Sequence, residues 1–221
     1  MRFAAESAGG LAFDAPILVS DATTLAPVHV RVVRLSTTRL VVIWQETSDR
    51  DGALDDADVI ARVLDESGAA VGPLVLISNG SADSTAPELA ALDSDTLLLG
   101  WLESGEVLVG SAELAALIAG TAPTVIDASA VTGGGAASAF SLAADDGRLA
   151  VCWLDDGPAL VGAASPGLVE RTSSAGLGGL GGASVASASA VSSASCALDG
   201  DALHLSWISS GTMFLQPRVI P

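Results

Sequence analysis

Four short apolar runs, each ending in a tryptophan, recur along this 221-residue chain. The tryptophans are Trp44, Trp101, Trp153 and Trp207, spaced 57, 52 and 54 residues apart. Alternation of apolar residues before each tryptophan is typical of one buried face of a β-strand. Its fourfold occurrence predicts an internal repeat. Counting back from each tryptophan in steps of two gives the same pair of apolar positions: Leu40 and Val42, Leu97 and Leu99, Leu149 and Val151, Leu203 and Leu205.

The intervening positions are also small or mostly apolar, as with Val41 and Ile43 in the first run and Ala150 and Cys152 in the third. A strand that is apolar on both faces is expected where one sheet lies between two others. The identical placement of the four tryptophans favours core packing over an exposed platform for stacking sugars.

Each run has predicted partner strands. Turn residues precede it, as in "LSTTR" and "AADDGR", and indicate an antiparallel hairpin. A third apolar segment starts six residues after three of the tryptophans, in "VLVG", "ALVG" and "MFLQ". A fourth strand follows in "GPLVLIS" and "APTVIDAS", is degraded in residues 167–184, and has no room in the last repeat.

The missing strand is predicted at the start of the chain. The segment "APILVS" resembles "GPLVLIS", and Pro16 and Pro73 each precede a tryptophan by 28 residues. The chain is therefore predicted to be an all-β, small β-propeller of about four four-stranded blades, closed by pairing of the N-terminal strand with the last blade. A sandwich, an open solenoid and a larger ring completed by a second chain remain alternatives. The predicted blades span residues 26–78, 85–129, 137–175 and 190–219, the last joined by the N-terminal strand 12–20.

One segment departs from the β pattern. In residues 110–123 an Ala and Leu run favours helix, Ser111 can cap it, and Gly120 with Pro123 would end it. A short helix is therefore predicted between the third and fourth strands of the second blade.

The strand, tryptophan, Gly and Asp loop and Pro strand over residues 40–78 resemble the β-propeller-like repeats of large secreted bacterial proteins, including adhesin-like ones. The other repeats match that pattern only at the tryptophan, the following turn and the Pro strand. The resemblance implies a scaffold for binding and says little about activity.

The stretch "QETSDRDGALDDADV", residues 45–59, is an acidic insertion in the hairpin after Trp44. It is predicted to be the one long loop among otherwise short hairpins, with a plain solvated turn as the simplest interpretation. Calcium binding or a partner contact is the main alternative, because Ca²⁺ takes six to eight oxygen ligands. Catalytic carboxylates are a weaker alternative. The candidate ligands are Asp49, Asp51, Asp55, Asp56 and Asp58.

Other candidate sites are weak. The "GLGGLG" segment, residues 176–181, lies in low-complexity sequence and is predicted to be a flexible linker rather than a dinucleotide-binding turn. Cys152 and Cys196 occupy small apolar strand positions and are predicted to be buried. Two histidines give no support for Ser-His-Asp catalysis. Without tyrosine, the chain lacks the nucleophile of a sialidase-like propeller.

Charge limits the classes of partner. The chain has 26 acidic residues, nine arginines and no lysine, for a formal net charge of -17. Such a surface repels phosphate backbones and anionic lipid, so binding to nucleic acid or to a membrane surface is not expected. Membrane insertion is not expected either, because no apolar run approaches the roughly 18 residues of a transmembrane helix. No signal peptide is recognised near the start. Synthesis in the cytoplasm with incorporation into a virion is predicted, and export by a non-Sec route is the alternative.

Together these features predict a non-enzymatic structural or attachment module that acts through protein contacts in a larger assembly, such as a bacteriophage capsid decoration, tail or fibre protein. A secreted adhesin-like or glycan-binding propeller is one alternative. A glycoside hydrolase or lyase is the other. No catalytic residue is assigned, because nothing in the sequence places two carboxylates in one pocket with opposed environments. Apart from calcium at the acidic insertion, no cofactor is expected.

Overall fold

The structure is a computed structural model of the chain. The described residues are 2–3, 16–21, 25–36, 38–48, 50, 56–78, 82–127, 137–156, 166–174, 177–187 and 190–220.

These residues form an all-β fold with one short helix. The strands are β1 (Arg2–Phe3), β2 (Ile17–Leu18), β3 (Leu25–Ser36), β4 (Arg39–Ser48), β5 (Asp56–Asp65), β6 (Val75–Leu76), β7 (Ser84–Ala91), β8 (Thr96–Glu103), β9 (Glu106–Glu113), β10 (Thr124–Asp127), β11 (Ala137–Asp145), β12 (Arg148–Asp155), β13 (Gly167–Ser173), β14 (Ser184–Ser187), β15 (Val191–Asp199), β16 (Ala202–Ser209) and β17 (Thr212–Val219). Helix α1 (Leu114–Ile118) lies between β9 and β10.

Four antiparallel sheets follow one another along the chain, as the repeat predicts. The first sheet is β3-β4-β5-β6, the second β7-β8-β9-β10, the third β11-β12-β13-β14 and the fourth β15-β16-β17. Their first strands pack in series, β3 on β7, β7 on β11 and β11 on β15. The prediction of an all-β chain of four repeated sheets is confirmed.

The second strand of each sheet carries the tryptophan, and its two faces pack in opposite directions. We call the face bearing the tryptophan the leading face and the opposite face the trailing face. At the seam between the first two sheets, Val41 and Ile43 of the trailing face pack against Leu97, Leu99 and Trp101 of the next leading face. Equivalent clusters form the second and third seams. Because these strands are buried on both sides, they need apolar residues at successive positions.

Three of the tryptophans are fully buried, which confirms core packing for them: Trp44, Trp101 and Trp153 are at most 2% exposed. Trp207, on the fourth sheet, is only half-buried and stacks on Phe214 with 5.4 Å between ring centroids. The fourth repeat therefore departs from the other three at this position.

The N-terminal segment does not pair with the last sheet where it is described. Ile17–Leu18 pairs with Arg2–Phe3 instead, and residues 12–15 lie outside the described part of the chain. Val19, which follows this strand, is buried in a cluster with Val42 and Trp44. The predicted closing strand is thus placed on the leading face of the first sheet, where its apolar residue covers the indole.

The trailing face of the fourth sheet stays exposed. Ile208, Met213, Leu215 and Val219 share this face, and the last three are 68–80% exposed. The buried cluster on the leading face of the first sheet contains no residue of the fourth sheet. Among the described residues, ring closure by direct packing of these two sheets is therefore not observed.

The third sheet corrects one strand assignment. Residues 167–184 were expected to hold a degraded fourth strand, but Gly167–Ser173 is the third strand and Ser184–Ser187 the fourth. The segment "ALVG", residues 159–162, lies outside the described residues. The connection from β12 to β13 is therefore long, like that from β4 to β5. The acidic insertion is not the one long hairpin connection in the chain.

The predicted helix is confirmed at Leu114–Ile118, although its cap differs. Ser111 lies within β9, and the N-cap residue is Glu113, whose side chain makes no capping hydrogen bond. Gly120 follows with φ +83°, a conformation that glycine adopts at little cost after a helix. No helix in the described part of the protein has the length and apolarity to span a membrane.

The glycine-rich segment is ordered over its described residues. Leu177–Gly179 forms a 3-10 turn, and Leu177 and Leu180 pack against the second seam. Arg171 Nε donates to the carbonyl of Gly181 at 2.7 Å. The prediction of a flexible linker is therefore wrong here, because two leucines in the low-complexity sequence reach the core.

Gly100 lies in the second seam, and adding a side chain there is expected to lower stability. A Cβ on Gly100 would lie 2.8 Å from Phe140 Cε2 and 2.9 Å from Leu142 Cδ1. Gly100→Ala should therefore overpack the seam and lower the free energy of unfolding by about 1–3 kcal/mol. Gly182→Ala is the matched control, since nothing lies within 4 Å of its added Cβ. Urea denaturation of both variants tests this, and equal losses of stability would contradict it.

Candidate carboxylate site on the first sheet

Three buried carboxyl groups share the leading face of the first sheet beyond Trp44. Glu46 on β4 lies directly opposite Asp58 on β5, and Asp56 is two residues from Asp58 on the same face. Glu46 and Asp58 are at most 1% exposed and Asp56 is 8% exposed. Buried acidic residues are rare unless they are paired, so each one calls for a physical explanation.

Glu46 is held by a hydrogen bond from the tryptophan two positions before it. Trp44 Nε1 donates to Glu46 Oε2 at 2.7 Å. The two side chains meet because residues i and i+2 of a strand lie on one face. The same bond recurs in the second sheet, from Trp101 to Glu103 at 3.3 Å, and in the third, from Trp153 to Asp155 at 2.9 Å.

Arg50 neutralises the other oxygen of Glu46. Arg50 Nε donates to Glu46 Oε1 at 2.6 Å, and its NH2 group donates to Asp21 Oδ1 at 2.8 Å. The hydrogen bonds from Arg50 to Asp21 and Glu46 raise the pKa of its guanidinium against the opposing effect of burial. Arg50 therefore ties the first sheet to the N-terminal segment and compensates the buried charge of Glu46.

Asp58 and Asp56 have different surroundings. Ser78 Oγ donates to Asp58 Oδ1 at 3.4 Å, and the same hydroxyl oxygen accepts from Val59 N at 2.9 Å. Asp56 is buried with neither carboxyl oxygen hydrogen bonded to any other described residue. A buried charged carboxylate without donors is energetically costly. Among the described residues, the first sheet thus places a carboxyl group without a donor beside two carboxyl groups that have donors.

The five predicted calcium ligands do not form one described group. Asp56 and Asp58 lie in β5 rather than in a loop, and Asp49, Asp51 and Asp55 lie outside the described residues. No cluster of three or more His, Cys, Asp or Glu side chains suited to a metal ion occurs in the described ranges. Calcium binding by the complete insertion remains a prediction.

Glu170 is another buried carboxyl group, and it lies on the trailing face of the third sheet. It is 5% exposed and forms an ion pair with Arg218 of the fourth sheet across the third seam. Burial raises the pKa of Glu170, although Arg218 opposes this shift. Its position between two packed sheets makes it part of the seam.

Sequence reasoning missed the Trp-x-acid pattern, although the signal is present. The tryptophans are followed by "QE", "LE", "LD" and "IS", so three of four carry an acidic residue two positions later. The spacing of two indicates a shared strand face. The position of Asp56 beside Asp58 and Glu46 could not be read in the same way, because the length of the intervening turn hides the strand register.

No protein-family model matches the chain, and no curated protein matches it in sequence. Solved structures do resemble it. An α-L-arabinofuranosidase of Fusarium graminearum in complex with an iminosugar inhibitor matches with TM-score 0.55 at 12% identity, over 95% of this chain. A point mutant of that enzyme, also with an iminosugar inhibitor, matches with TM-score 0.57 at 10% identity over the same share. The chain spans 62% of the length of each.

These similarities support a β-propeller-like all-β fold. They contradict the prediction of a non-enzymatic structural or attachment module, because the matched structures are of a glycosidase. The virion and adhesin-like assignments gain no support. The sequence does not show two carboxyl groups in one place with different surroundings, whereas in the structure Asp56 and Asp58 share a strand face and differ in their hydrogen bonds to the described residues.

The Trp-x-acid pairs predict unequal losses of stability. Glu46→Ala should lower the free energy of unfolding by about 2–3 kcal/mol, because it leaves a buried indole N–H without its acceptor. Glu103→Ala should cost about 1 kcal/mol, because Glu103 is only half-buried and its bond to Trp101 is longer. Urea denaturation measures both, and similar losses would show that burial does not set the strength of these bonds.

Protonation of Glu170 is expected to make the free energy of unfolding depend on pH. Because its folded-state pKa is raised from 4.5, the folded protein holds this proton more tightly than the unfolded chain does. Stability from this group is therefore present below pH 4.5 and is lost as pH rises through the folded-state pKa. Glu170→Gln should remove that loss, measured as wild-type minus variant unfolding free energy across this range.

Asp65→Asn is the control for this pH dependence. The hydrogen bond from Ser67 lowers the pKa of Asp65. Its contribution should therefore be present above pH 3.8, the ordinary value, and should be lost as pH falls through the lowered pKa. The two variants should thus differ from wild type with opposite dependence on pH. A Glu170→Gln difference that does not change with pH would contradict the assignment.

Proposed function

We propose that this protein is a glycoside hydrolase whose catalytic carboxyl groups are Asp56 and Asp58. The observation that carries the proposal is the buried carboxyl of Asp56, which has no hydrogen-bond partner among the described residues and lies two positions from Asp58 on one strand face. An unsatisfied buried polar group in a folded protein requires an explanation, and a catalytic role is one.

Glycoside hydrolysis needs two carboxyl groups in different environments. One donates a proton to the leaving oxygen, and the other acts as the base or the nucleophile. We assign Asp56 as the acid, because neither of its carboxyl oxygens has a hydrogen-bond partner among the described residues, and Asp58, which receives a hydrogen bond from Ser78, as the second carboxyl group. The pair thus has the asymmetry that the reaction requires.

Glu46 serves as a positioning residue in this proposal. Both of its oxygens are occupied, one by Trp44 and one by Arg50, so it has little capacity to react with a sugar. Lying directly opposite Asp58 and held by Trp44 and Arg50, it helps to fix the strand face that carries the pair.

The fold similarity suggests the substrate class to test first. The matched enzyme is an α-L-arabinofuranosidase, so glycans with terminal arabinofuranosyl groups are the starting choice. In this proposal the four sheets are propeller blades in sequence, and the catalytic pair lies on the leading face of the first blade. The N-terminal segment, which contacts Trp44 through Val19, borders this site.

A second candidate function is glycan binding without hydrolysis. It is favoured by the stacked pair of Trp207 and Phe214, since Phe214 is 41% exposed and Trp207 is half-buried. Exposed aromatic rings offer an apolar surface on which a sugar can stack. The aromatic pair lies on the fourth sheet and is separate from the buried carboxyl groups of the first sheet.

Activity on arabinofuranosyl substrates tests the proposal. The purified chain should release arabinose from branched arabinan or para-nitrophenol from the aryl α-L-arabinofuranoside. Asp56→Asn and Asp58→Asn should each lower kcat by at least about 100-fold, because each removes one member of the acid and base pair. Thermal denaturation should show that both variants are folded.

Glu103→Gln is the matched control. It changes the equivalent tryptophan-linked acid of the second sheet and should leave kcat unchanged. If no product appears from arabinofuranosyl substrates or from a wider polysaccharide panel, the enzyme proposal is wrong. Glycan binding that is lost in Phe214→Ala, without any turnover, would favour the second candidate.

A further inference from the structure

The third seam brings the only two cysteines of the chain together. Cys152 lies on the trailing face of the third sheet, with Leu154 and Ala150, and Cys196 lies on the leading face of the fourth, opposite Leu205. Both are buried and belong to the same apolar cluster. They are 44 residues apart in sequence, so only the packing of two separate sheets makes them neighbours.

Contacts at Ser141 fix the position of Cys196 relative to Cys152. Ser141 is directly opposite Cys152 in the pairing of β11 and β12. Cys196 Sγ lies 3.4 Å from the carbonyl oxygen of Ser141 and 3.8 Å from its hydroxyl oxygen, and Cys196 N donates to that hydroxyl at 3.3 Å. The Sγ atom is also 3.9 Å from the carbonyl oxygen of Ala150. Cys196 is thus bounded by the two residues that flank Cys152 in the sheet.

The two thiols also differ in acidity. A hydrogen bond between them lowers the pKa of Cys196, with a further contribution from Ser141, and raises that of Cys152. The carboxyl group of Glu170, directly opposite Cys152, adds to the rise. Cys196 is therefore the more acidic of the two thiols.

We propose that Cys152 and Cys196 are a redox-active pair that forms a disulfide across the third seam. The oxidant is a small-molecule disulfide of the glutathione class. The Cys196 thiolate attacks one of its sulfurs, so that a mixed disulfide forms and one thiol leaves. Cys152 then loses its proton to solvent and attacks the Cys196 sulfur, releasing the second thiol. One small disulfide is reduced to two thiols as the protein pair is oxidised.

The location explains what this bond would do. In the described part of the chain the fourth sheet is packed on one face only, against the third sheet, while its trailing face is exposed. The cross-link would tie this terminal sheet to the body of the protein at the centre of its single seam. It would also reduce the number of conformations available to the unfolded chain, which is how disulfides stabilise proteins in the chain-entropy model.

Refolding in glutathione buffers tests the proposal, because it gives both thiols access to the oxidant despite their burial in the native state. The full chain is denatured, diluted into buffers of increasing oxidised glutathione, alkylated and analysed by mass spectrometry. We expect loss of both free thiols together, one peptide linking Cys152 to Cys196, and a rise in Tm of about 5–10 °C over the reduced protein.

Two variants separate the bond from the surrounding packing. Cys152→Ser and Cys196→Ser should each have a Tm that does not respond to the glutathione ratio, and each should gain at most one mixed disulfide. Folded wild type that keeps two alkylatable thiols, or carries two mixed disulfides at high oxidised glutathione, would overturn the proposal. So would a linked protein whose Tm is lower than that of the reduced form.

Discussion

The packing of each sheet against the next depends on one constraint, which is that the second strand must be apolar on both faces. In the second and third sheets the leading face of this strand meets the preceding sheet and its trailing face meets the following one. The large residue at each leading face is tryptophan, which fills the seam but brings a polar N–H into it. An acidic residue two positions later accepts that hydrogen in the first three sheets. Because residues two positions apart share one strand face, the buried indole N–H of the tryptophan has a hydrogen-bond acceptor beside it.

This solution leaves an acidic side chain near the end of each of these strands, and its surroundings differ from sheet to sheet. Glu103 is half-buried and also accepts a hydrogen bond from Ser84 at 2.7 Å. Glu46 is fully buried and needs Arg50, which comes from the connection after β4. That connection also delivers Asp56 and Asp58 to the face beside Glu46. The hydrogen bond from tryptophan to an acidic residue is thus present in three sheets, and in the first sheet that acidic residue also belongs to a cluster of three carboxyl groups.

Much of the fold can be predicted from the sequence, because apolar alternation and four tryptophans mark every second strand. The strand pairing, the helix at Leu114–Ile118 and the burial of both cysteines follow from the same reasoning. The third strand of the third sheet could not be located, since "ALVG" matches the expected spacing better than Gly167–Ser173 does. The position of the N-terminal strand in the fold could not be predicted either. Apolar segments of similar sequence can either pair at a sheet edge or cover a sheet face.

The candidate site was harder to predict than the fold for a related reason. Acidic residues in a row look like a solvated turn, and composition does not reveal that β5 begins at Asp56. Strand register decides whether Asp58 faces Glu46 or the opposite side of the sheet, and a shift of one residue would reverse it. The contact between Cys152 and Cys196 likewise depends on how two sheets stack, which local sequence patterns do not encode.

The serial order of the sheets has a consequence for how the protein gains its stability. Each sheet packs chiefly on its sequence neighbours, as in repeat proteins whose stability is approximately a sum of unit and nearest-neighbour terms. In such an arrangement the second and third sheets each contribute to two interfaces, whereas the first and fourth each contribute to one in the described structure. The outer face of the first sheet is covered by Val19, but that of the fourth sheet is exposed. Cooperativity should therefore weaken toward the C-terminal end, where local opening needs the fewest contacts to break.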